Sequence, residues 1–254
     1  LIVKLKNETL IKKLNLDSNH FDKILINSIK NNKTNYFSQA YAGHQFGHFT
    51  ILGDGRATFL GEHLNQKNER YDIQLKGSGK TPYSRNGDGK GTLKSMIREY
   101  IISEAMNNLK IKTTRSLAIL KTGEKILRNS FEQGGILVRV AKSHIRIGTL
   151  QYAMISNQKE NVQKLLEYSI ERLYPELNYE KNKYLKFFEK VTENQINLIL
   201  NWQRVGFIHG VINTDNMSLS GETLDYGPCA YLDEYNPNKV FSSIDHKGRY
   251  SFSN

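Results

Sequence analysis

The 254-residue sequence has little cysteine and no long apolar run. Its single cysteine, Cys229, has no partner within the chain, so no intrachain disulfide can form and a reducing compartment is favoured. No stretch approaches the ~18 consecutive apolar residues that a transmembrane helix needs. The opening LIVKLKNETL becomes charged too soon for a secretory signal. We therefore expect a soluble, cytoplasmic protein that does not act at a membrane.

A dense arginine-rich patch is also missing, although the formal net charge is +11. The lysines are scattered among asparagine and isoleucine, as in KNNKTN and EKNKYLK. Dispersed charge of this kind indicates a solvated basic surface, whereas nucleic-acid binding favours a clustered patch. We therefore expect no nucleic-acid partner.

Methionine is scarce as well, with four residues and none at the first position. The last residues, GRYSFSN, stop within a run of aromatic side chains. The absence of a leading Met suggests a mature or a partial chain, and the ending indicates a fragment truncated on its C-terminal side. With 38% hydrophobic residues, the sequence can still bury a sizeable core in one large domain or two lobes.

The sequence pattern changes from mostly β to mostly α near residue 150. The segments HFTIL and ATFLGEHL flank the Gly-rich GDGR and predict a hairpin, and YDIQLK predicts a further strand. A helix, TLKSMIREYIISEAMNNLK, follows with Thr92 as its cap, and then come the strands RSLAIL, EKILR and GGILVRVAKS. Later segments, such as NVQKLLEYSIERL, are helical. This order predicts an α+β fold with two lobes.

The stretch HGVINTDNMSLSGETLDYGP is similar to the catalytic centre of a protein kinase with one part missing. In the kinase pattern, an Asp accepts the substrate hydroxyl proton and an Asn five residues later binds metal. Here Val211 stands at the position of that Asp and Asn216 at that of the Asn, while Asp225 begins a DYG triplet. Asn216 and Asp225 offer oxygen ligands suited to Mg²⁺, and Asp215 adds a neighbouring carboxylate. The alternative is an Asx-rich turn that only caps local backbone.

Lys76 lies at the end of a predicted strand after a Gly-rich turn, as the nucleotide-pairing lysine of a kinase does. Each of these signals is weak alone. Their order along the chain is a much stronger indication of similarity to a protein kinase. That order is a Gly-rich turn, a strand lysine, a Glu-bearing helix, Asn and then Asp-aromatic-Gly.

Five blocks make the sequence similar to the selenoprotein O family, also called the YdiU or UPF0061 group. They are YAGHQFGHFTILGDGRATFLGE, YDIQLKGSGKTPYSRNGDGKGTLKSMIREY, SEAM, RVAKSHIRIGTLQ and GFIHGVINTDNMSLSGETLDYGP. The resemblance implies a protein kinase-like, two-lobed fold. It also implies binding of ATP in a flipped orientation and transfer of AMP, rather than phosphate, to hydroxyl side chains of proteins.

The resemblance implies nucleotide contacts at positions that match the family's motifs, namely Gly53, Gly55, Arg56, Lys76, Asp88, Gly89, Glu99, Arg139, Arg146 and Asp225. Lys76, Arg139 and Arg146 would contact phosphates, and Glu99 would be the ion-pair partner of Lys76. Helical spacing leaves Glu104 open as the alternative partner, because Glu104 lies closer to the predicted apolar stripe of its helix. Each group of positions also has a structural alternative. The glycine turn could be an ordinary hairpin turn, Lys76 an exposed strand-end lysine, Asp88 and Gly89 part of a solvent loop, and the two arginines members of surface ion pairs.

We therefore predict an N-terminal segment over 1–35, a nucleotide-binding lobe over 36–150 and part of a helical lobe over 151–254. The predicted reaction is AMP transfer from ATP to Ser, Thr or Tyr hydroxyls, with Asp215 as the base because Val211 cannot accept a proton. Asn216 and Asp225 would hold Mg²⁺, with Mn²⁺ as the alternative ion. Two other functions stay open, a kinase-like transfer of the γ-phosphate and an inactive fragment that serves as a binding module. The oligomeric state is left open.

Overall fold

The computed structural model describes residues 1–31, 36–155 and 159–254. The chain divides into two compact units. Unit 1 consists of Leu1–Ala40, Gly53–Asn107 and Thr114–Lys142. Unit 2 consists of Tyr41–Leu52, Asn108–Thr113 and Ser143–Asn254. Each unit is therefore assembled from segments that are distant in sequence.

The strands of the described residues are β1 Ile2–Lys6, β2 Ala40–Gln45, β3 His48–Gly53, β4 Ala57–Leu64, β5 Arg70–Lys76, β6 Gly91–Thr92, β7 Arg115–Leu127, β8 Phe131–Ala141, β9 Phe207–Ile208 and β10 Ala230–Tyr231. The helices are α1 Glu8–Lys13, α2 Phe21–Asn31, α3 Leu93–Asn108, α4 Ile147–Ile155, α5 Lys159–Leu173 and α6 Lys183–Arg204. This mixture of helices and antiparallel sheets is the expected α+β class.

Unit 1 is built on an antiparallel sheet in the order β1-β7-β8-β5-β4, with β6 paired to β8. Alternation along β5 gives the sheet two different faces. Tyr71 and Leu75 belong to the apolar core that α1 and α2 share with the sheet. Gln74 and Lys76 are also buried, but their side chains contact polar partners instead. One face of β5 therefore serves packing and the other carries charge.

The helix predicted after the glycine-rich loop is present as α3. Thr92 is its cap, since Thr92 Oγ1 accepts from the Ser95 backbone N–H at 3.3 Å, as predicted. The segments RSLAIL and EKILR, predicted as separate strands, belong to the single strand β7. A register irregularity between Lys121 and Lys125 marks the place where the sequence indicated a break.

The predicted hairpin across GDGR is wrong. Strand β3 pairs with β2, and β4 pairs with β5. The physical reason is the two-residue connection between β2 and β3, where Phe46 and Gly47 have φ of 51° and 90°. Two consecutive positive φ angles are typical of the tight turn whose twist suits a two-stranded hairpin.

Unit 2 packs its helices around an apolar cluster. The buried members of this cluster are Ile145, Ile170, Tyr174, Phe187, Val191 and Leu219. Trp202 of α6 is buried and donates through Nε1 to Thr223 Oγ1 at 3.0 Å, which fixes the end of the helix beside the segment that leads to Asp225. Within the described ranges, no helix combines the length and apolar character needed to cross a membrane.

Candidate active site

Lys76 and Glu99 form a buried ion pair in unit 1. Lys76 ends β5, and Glu99 lies on the buried face of α3. Lys76 Nζ lies 2.7 Å from Glu99 Oε2, and each residue is only 3% exposed. An ion pair taken out of water at this distance fixes both side chains strongly, because neither charge has a solvated alternative.

Glu104, the alternative partner of Lys76, makes a different ion pair. Glu104 Oε2 lies 2.7 Å from Arg115 Nη2, in a partly exposed position. Helix phase explains the difference, because Ile101 of the predicted apolar stripe is 60% exposed. The buried positions of α3 are Met96, Glu99, Ser103 and Met106. Glu99 is therefore the inward carboxylate.

Arg139 belongs to the same buried cluster. It lies on β8 directly opposite Gln74 of β5, and its Nε donates to Gln74 Oε1 at 3.1 Å. Arg139 Nη1 also lies 3.5 Å from Glu99 Oε1. Gln74 in turn donates through Nε2 to Asp54 Oδ2 at 2.8 Å. Unit 1 thus holds the two cations Lys76 and Arg139 beside two carboxylates, with a glutamine amide linking them.

The Gly-rich turn between β3 and β4 packs against the loop that contains Tyr83. A Cβ atom on Gly53 would lie 2.2 Å from the Tyr83 ring, so this position has no room for a side chain. Ser84 Oγ donates to the Gly55 carbonyl at 2.5 Å and fixes the turn from the same side. Arg56 is exposed at the end of the turn. The backbone of the Gly-rich turn is therefore held in one conformation, and the Arg56 side chain lies in solvent beside it.

Asp88 is exposed and makes an ion pair with Arg128. Both carboxylate oxygens accept from the guanidinium at 2.9 Å, and this contact lowers the pKa of the Asp88 carboxyl below its ordinary value. Gly89 has φ of 66°, and a Cβ atom there would lie 2.0 Å from the Gly79 carbonyl oxygen. Gly89 is therefore required for the loop conformation, while contact of Asp88 and Gly89 with a nucleotide stays a prediction.

Arg146 and Asp225 form the charged centre of unit 2. Arg146 Nη2 donates to Asp225 Oδ2 at 2.8 Å, and the guanidinium carbon lies 4.0 Å from the centre of the Tyr41 ring. The arginine is 1% exposed. Backbone hydrogen bonds between 145–147 and 217–219 bring the Arg146 segment beside the loop that leads to Asp225. The buried guanidinium is thus placed by pairing of two distant segments.

The turn Thr214–Asn216 carries the other two predicted residues. Asn213 caps it, since Asn213 Oδ1 accepts from the Asp215 backbone N–H at 3.3 Å. Asn216 Nδ2 donates to the Val211 carbonyl at 2.7 Å. Because its amide nitrogen is engaged in this way, Asn216 presents its Oδ1 as the atom available to a ligand.

His209 fixes the start of this loop. Its Nε2 lies 2.8 Å from the Leu224 carbonyl oxygen, and its ring stacks on Trp202 with the ring centres 5.5 Å apart. The histidine of the HGV triplet therefore connects the loop to the residue that precedes Asp225. These contacts give His209 a structural role in the fold.

Asp215 is a buried carboxylate with one engaged oxygen. Gln45 Nε2 donates to Asp215 Oδ2 at 2.8 Å, whereas Oδ1 has no hydrogen-bond partner in the described part of the chain. Burial raises the pKa of the Asp215 carboxyl above its ordinary value, and the charge of Asp225 acts in the same direction. The Gln45 hydrogen bond and the charge of Arg146 oppose this effect. A carboxylate with a raised pKa is a better proton acceptor near neutral pH.

The donor set of unit 2 fits a magnesium ion that is bound together with a nucleotide. Over the described ranges, no group of three or more His, Cys, Asp or Glu side chains is arranged to hold a metal by itself. Mg²⁺ commonly takes only one or two protein ligands and completes its shell with phosphate oxygens and water. Asn216 Oδ1 and the Asp225 carboxylate are oxygen donors of the kind it prefers.

A comparison with known proteins identifies the family. The model of the family described as "Protein adenylyltransferase SelO" matches residues 1–254. The chain belongs to the SelO family. It is 54% identical over 253 residues to the protein nucleotidyltransferase YdiU of Pelagibacter ubique, which covers 98% of this chain and 52% of that protein. It is 60% identical over 217 residues to the YdiU protein of Clostridium perfringens strain SM101, covering 85% of this chain and 44% of that protein.

The chain spans about half the length of the curated SelO-family relatives that it matches. The matched part contains every residue for which the sequence predicted a role. Lys76, Glu99 and Arg139 are brought together in unit 1, and Arg146, Asp215, Asn216 and Asp225 are close in sequence or in contact in unit 2.

Sequence analysis missed Gln74, Asp54, Gln45 and Tyr41 as members of these clusters. A signal was present for Gln74, since it stands two residues before Lys76 in a predicted strand and must lie on the same face. The same alternation places Tyr41 and Gln45 on one face of β2. Which partners these faces meet depends on contacts between distant segments.

Proposed function

We propose that this chain carries the reaction centre of a protein adenylyltransferase, which transfers AMP from ATP to Ser, Thr or Tyr hydroxyls of proteins. The observation that carries the proposal is the state of Asp215, a buried carboxylate with one oxygen free of hydrogen bonds within the described residues. It stands four residues after Val211, which occupies the usual position of a kinase base. Membership of the SelO family supports the same reaction.

In the proposed reaction, the acceptor hydroxyl oxygen attacks the α-phosphorus of ATP. Its proton passes to the Asp215 carboxylate, and the bond between the α-phosphorus and the oxygen that bridges to the β-phosphorus breaks. Pyrophosphate leaves with the electron pair of that bond, and AMP remains as an ester on the protein. General-base catalysis of this kind contributes about 10²- to 10⁴-fold in rate.

The cationic side chains would bind the phosphates. Lys76 and Arg139 in unit 1 are fixed by Glu99, and Arg146 in unit 2 by Asp225, so each is pre-oriented before a ligand arrives. Pre-oriented charges stabilise developing charge without a reorganisation cost during the reaction. The arginine forks suit the terminal phosphates, which supports the flipped orientation of the nucleotide.

Asn216 and Asp225 would hold Mg²⁺, or Mn²⁺ as the alternative. Such an ion neutralises charge on the phosphate oxygens when it is bound. Asp225 accepts a hydrogen bond from Arg146 and presents a charged oxygen, while the Asn216 amide is oriented by Val211. We place the reaction in the cytoplasm, because the only cysteine of the sequence, Cys229, is buried and not disulfide-bonded.

Incubation with ATP and Mg²⁺, followed by mass spectrometry of the protein, tests the proposal. Self-labelling by AMP is the expected result, with label retained from α-labelled ATP and not from γ-labelled ATP. Addition of phosphate alone would overturn the proposal in favour of a kinase-like reaction. Asp215→Asn should slow AMP labelling about 100-fold or more while leaving ATP binding in place, since the amide cannot accept the proton.

A further inference from the structure

One face of strand β2 contacts the charged centre of unit 2. Residues two apart in a strand lie on the same face, and here these residues are Tyr41, Gly43 and Gln45. The Tyr41 ring lies against the Arg146 guanidinium, and the Gln45 amide donates to Asp215. The strand therefore contacts Arg146 and Asp215, two of the residues that have roles in the proposed reaction.

Gly43 brings the strand backbone unusually close to Asp215. A Cβ atom on Gly43 would lie 2.3 Å from Asp215 Oδ1 and 3.0 Å from its Cβ, which leaves no room for a side chain. The carboxylate is thus packed directly against the strand. In the described part of the chain, Gln45 is the side chain that donates to this carboxylate, and it engages Oδ2 alone.

Tyr250 ties the Gln45 end of the strand to the loop that carries Asp215. Its hydroxyl oxygen accepts from the Phe46 backbone N–H at 2.9 Å and from Asn213 Nδ2 at 3.3 Å. Asn213 is the residue that caps the Asp215 turn. Tyr250 is itself buried. The Tyr250 hydroxyl therefore joins Phe46, the residue after Gln45, to Asn213, which stands two residues before Asp215.

We propose that Gln45 is a positioning residue for AMP transfer, which fixes the orientation of the Asp215 carboxylate through Oδ2 while Gly43 packs against the other oxygen. The proposal rests on the proposed function, in which Asp215 is the base. Without the amide donor, the carboxylate could rotate about its Cβ–Cγ bond and exchange the roles of its two oxygens. Misplacement of a reacting group by about 1 Å is enough to cost about 100-fold in rate.

The test compares Gln45→Met with the unchanged chain in single-turnover self-labelling with α-labelled ATP and Mg²⁺. Methionine has a similar length but no hydrogen-bond donor. The rate at saturating ATP should fall roughly tenfold or more, while the ATP concentration for half-maximal rate stays within about twofold, because Gln45 acts on the base and not on the nucleotide. Gln163→Met is the matched control, since Gln163 is exposed on α5, and it should leave both values unchanged.

Gln45→Leu provides a second variant that also lacks the donor, and it should lose a similar amount of rate. In the Asp215→Asn background, Gln45→Met should have no further effect on the residual rate, since a residue that acts only through Asp215 loses its role with that carboxylate. A general structural role would instead add a further loss.

The outcomes separate the two proposals. If Asp215→Asn loses transfer but Gln45→Met keeps the wild-type rate, the positioning role is overturned and the proposed function stands. If Asp215→Asn transfers AMP as fast as the unchanged chain, or the unchanged chain transfers none, the proposed function is overturned and the positioning role with it. If Gln45→Met lowers the rate of AMP transfer and also raises the ATP concentration for half-maximal rate by a large factor, the positioning role is overturned as well.

Discussion

Removal of the Glu99 charge should destabilise unit 1 far more than removal of the Glu104 charge. The two glutamates lie on the same helix, α3, and each makes an ion pair at 2.7 Å. They differ in burial, because the Glu99 side chain is 4% exposed and the Glu104 side chain 17%. Glutamine at either position preserves shape and removes only the charge, so the comparison sets a buried lysine pair against a bidentate arginine pair that is less buried.

The expected magnitude follows from what each substitution leaves behind. Glu99→Gln leaves Lys76 and Arg139 in a buried site that has lost one of its carboxylates, and breaking a buried ion pair in this way costs about 3–5 kcal/mol. Glu104→Gln keeps one oxygen that can accept from Arg115, whose side chain is 14% exposed, and the loss of one charge-assisted hydrogen bond costs about 1.5 kcal/mol. At 1.36 kcal/mol for each factor of ten, these free energies correspond to about 100-fold or more and about tenfold in the opening equilibrium.

Hydrogen exchange of the β5 and β8 backbone amides measures this opening directly. Exchange should accelerate about 100-fold or more in Glu99→Gln and about tenfold in Glu104→Gln, while amides of α5 and α6 in unit 2 provide an internal reference. Equal acceleration in the two variants would refute the assignment of Glu99 as the stabilising partner. A larger effect of Glu104→Gln would show that Arg115 is the more important cation.

Three further predictions concern the charged residues. Asp225→Asn keeps an acceptor for Arg146 but loses the anionic oxygen, so Mg²⁺-dependent AMP transfer should disappear. The unfolding temperature should also fall, because the buried Arg146 loses its carboxylate partner, so transfer is measured well below that temperature. Arg146→Ala should slow transfer about tenfold or more, if it removes at least ~1.4 kcal/mol of transition-state stabilisation in α-labelled ATP assays. Hydrogen bonds from Asn65 and Lys142 lower the pKa of Glu69 from 4.5 to about 2. The stability that this contributes is present above pH 4.5 and lost as the pH falls towards 2, so the difference in thermal midpoint between wild type and Glu69→Gln should shrink over that range.

Short-range signals in the sequence were sufficient for much of the fold. The cap of α3 at Thr92 and the helical character of α5 and α6 follow from side-chain chemistry and periodicity within each segment. The prediction that β3 and β4 form a hairpin was wrong for a local reason as well, since the tight turn at Phe46 and Gly47 directs β3 back onto β2. The turn at Phe46 and Gly47 therefore determined the pairing of β2 with β3. The Gly-rich segment GDGR, which follows β3, was a less specific turn signal.

The residue types of the candidate site were also readable from the sequence, because the spacing from Val211 to Asn216 and on to Asp225 is a chemical pattern in one stretch of chain. The choice between Glu99 and Glu104 was not readable, since both lie on α3 and only the packing of that helix decides which carboxylate is turned inward. Gln45 is 170 residues from Asp215 in the chain. Hydrogen bonds and buried charges act through space, so their partners are determined only when the tertiary structure brings distant segments together.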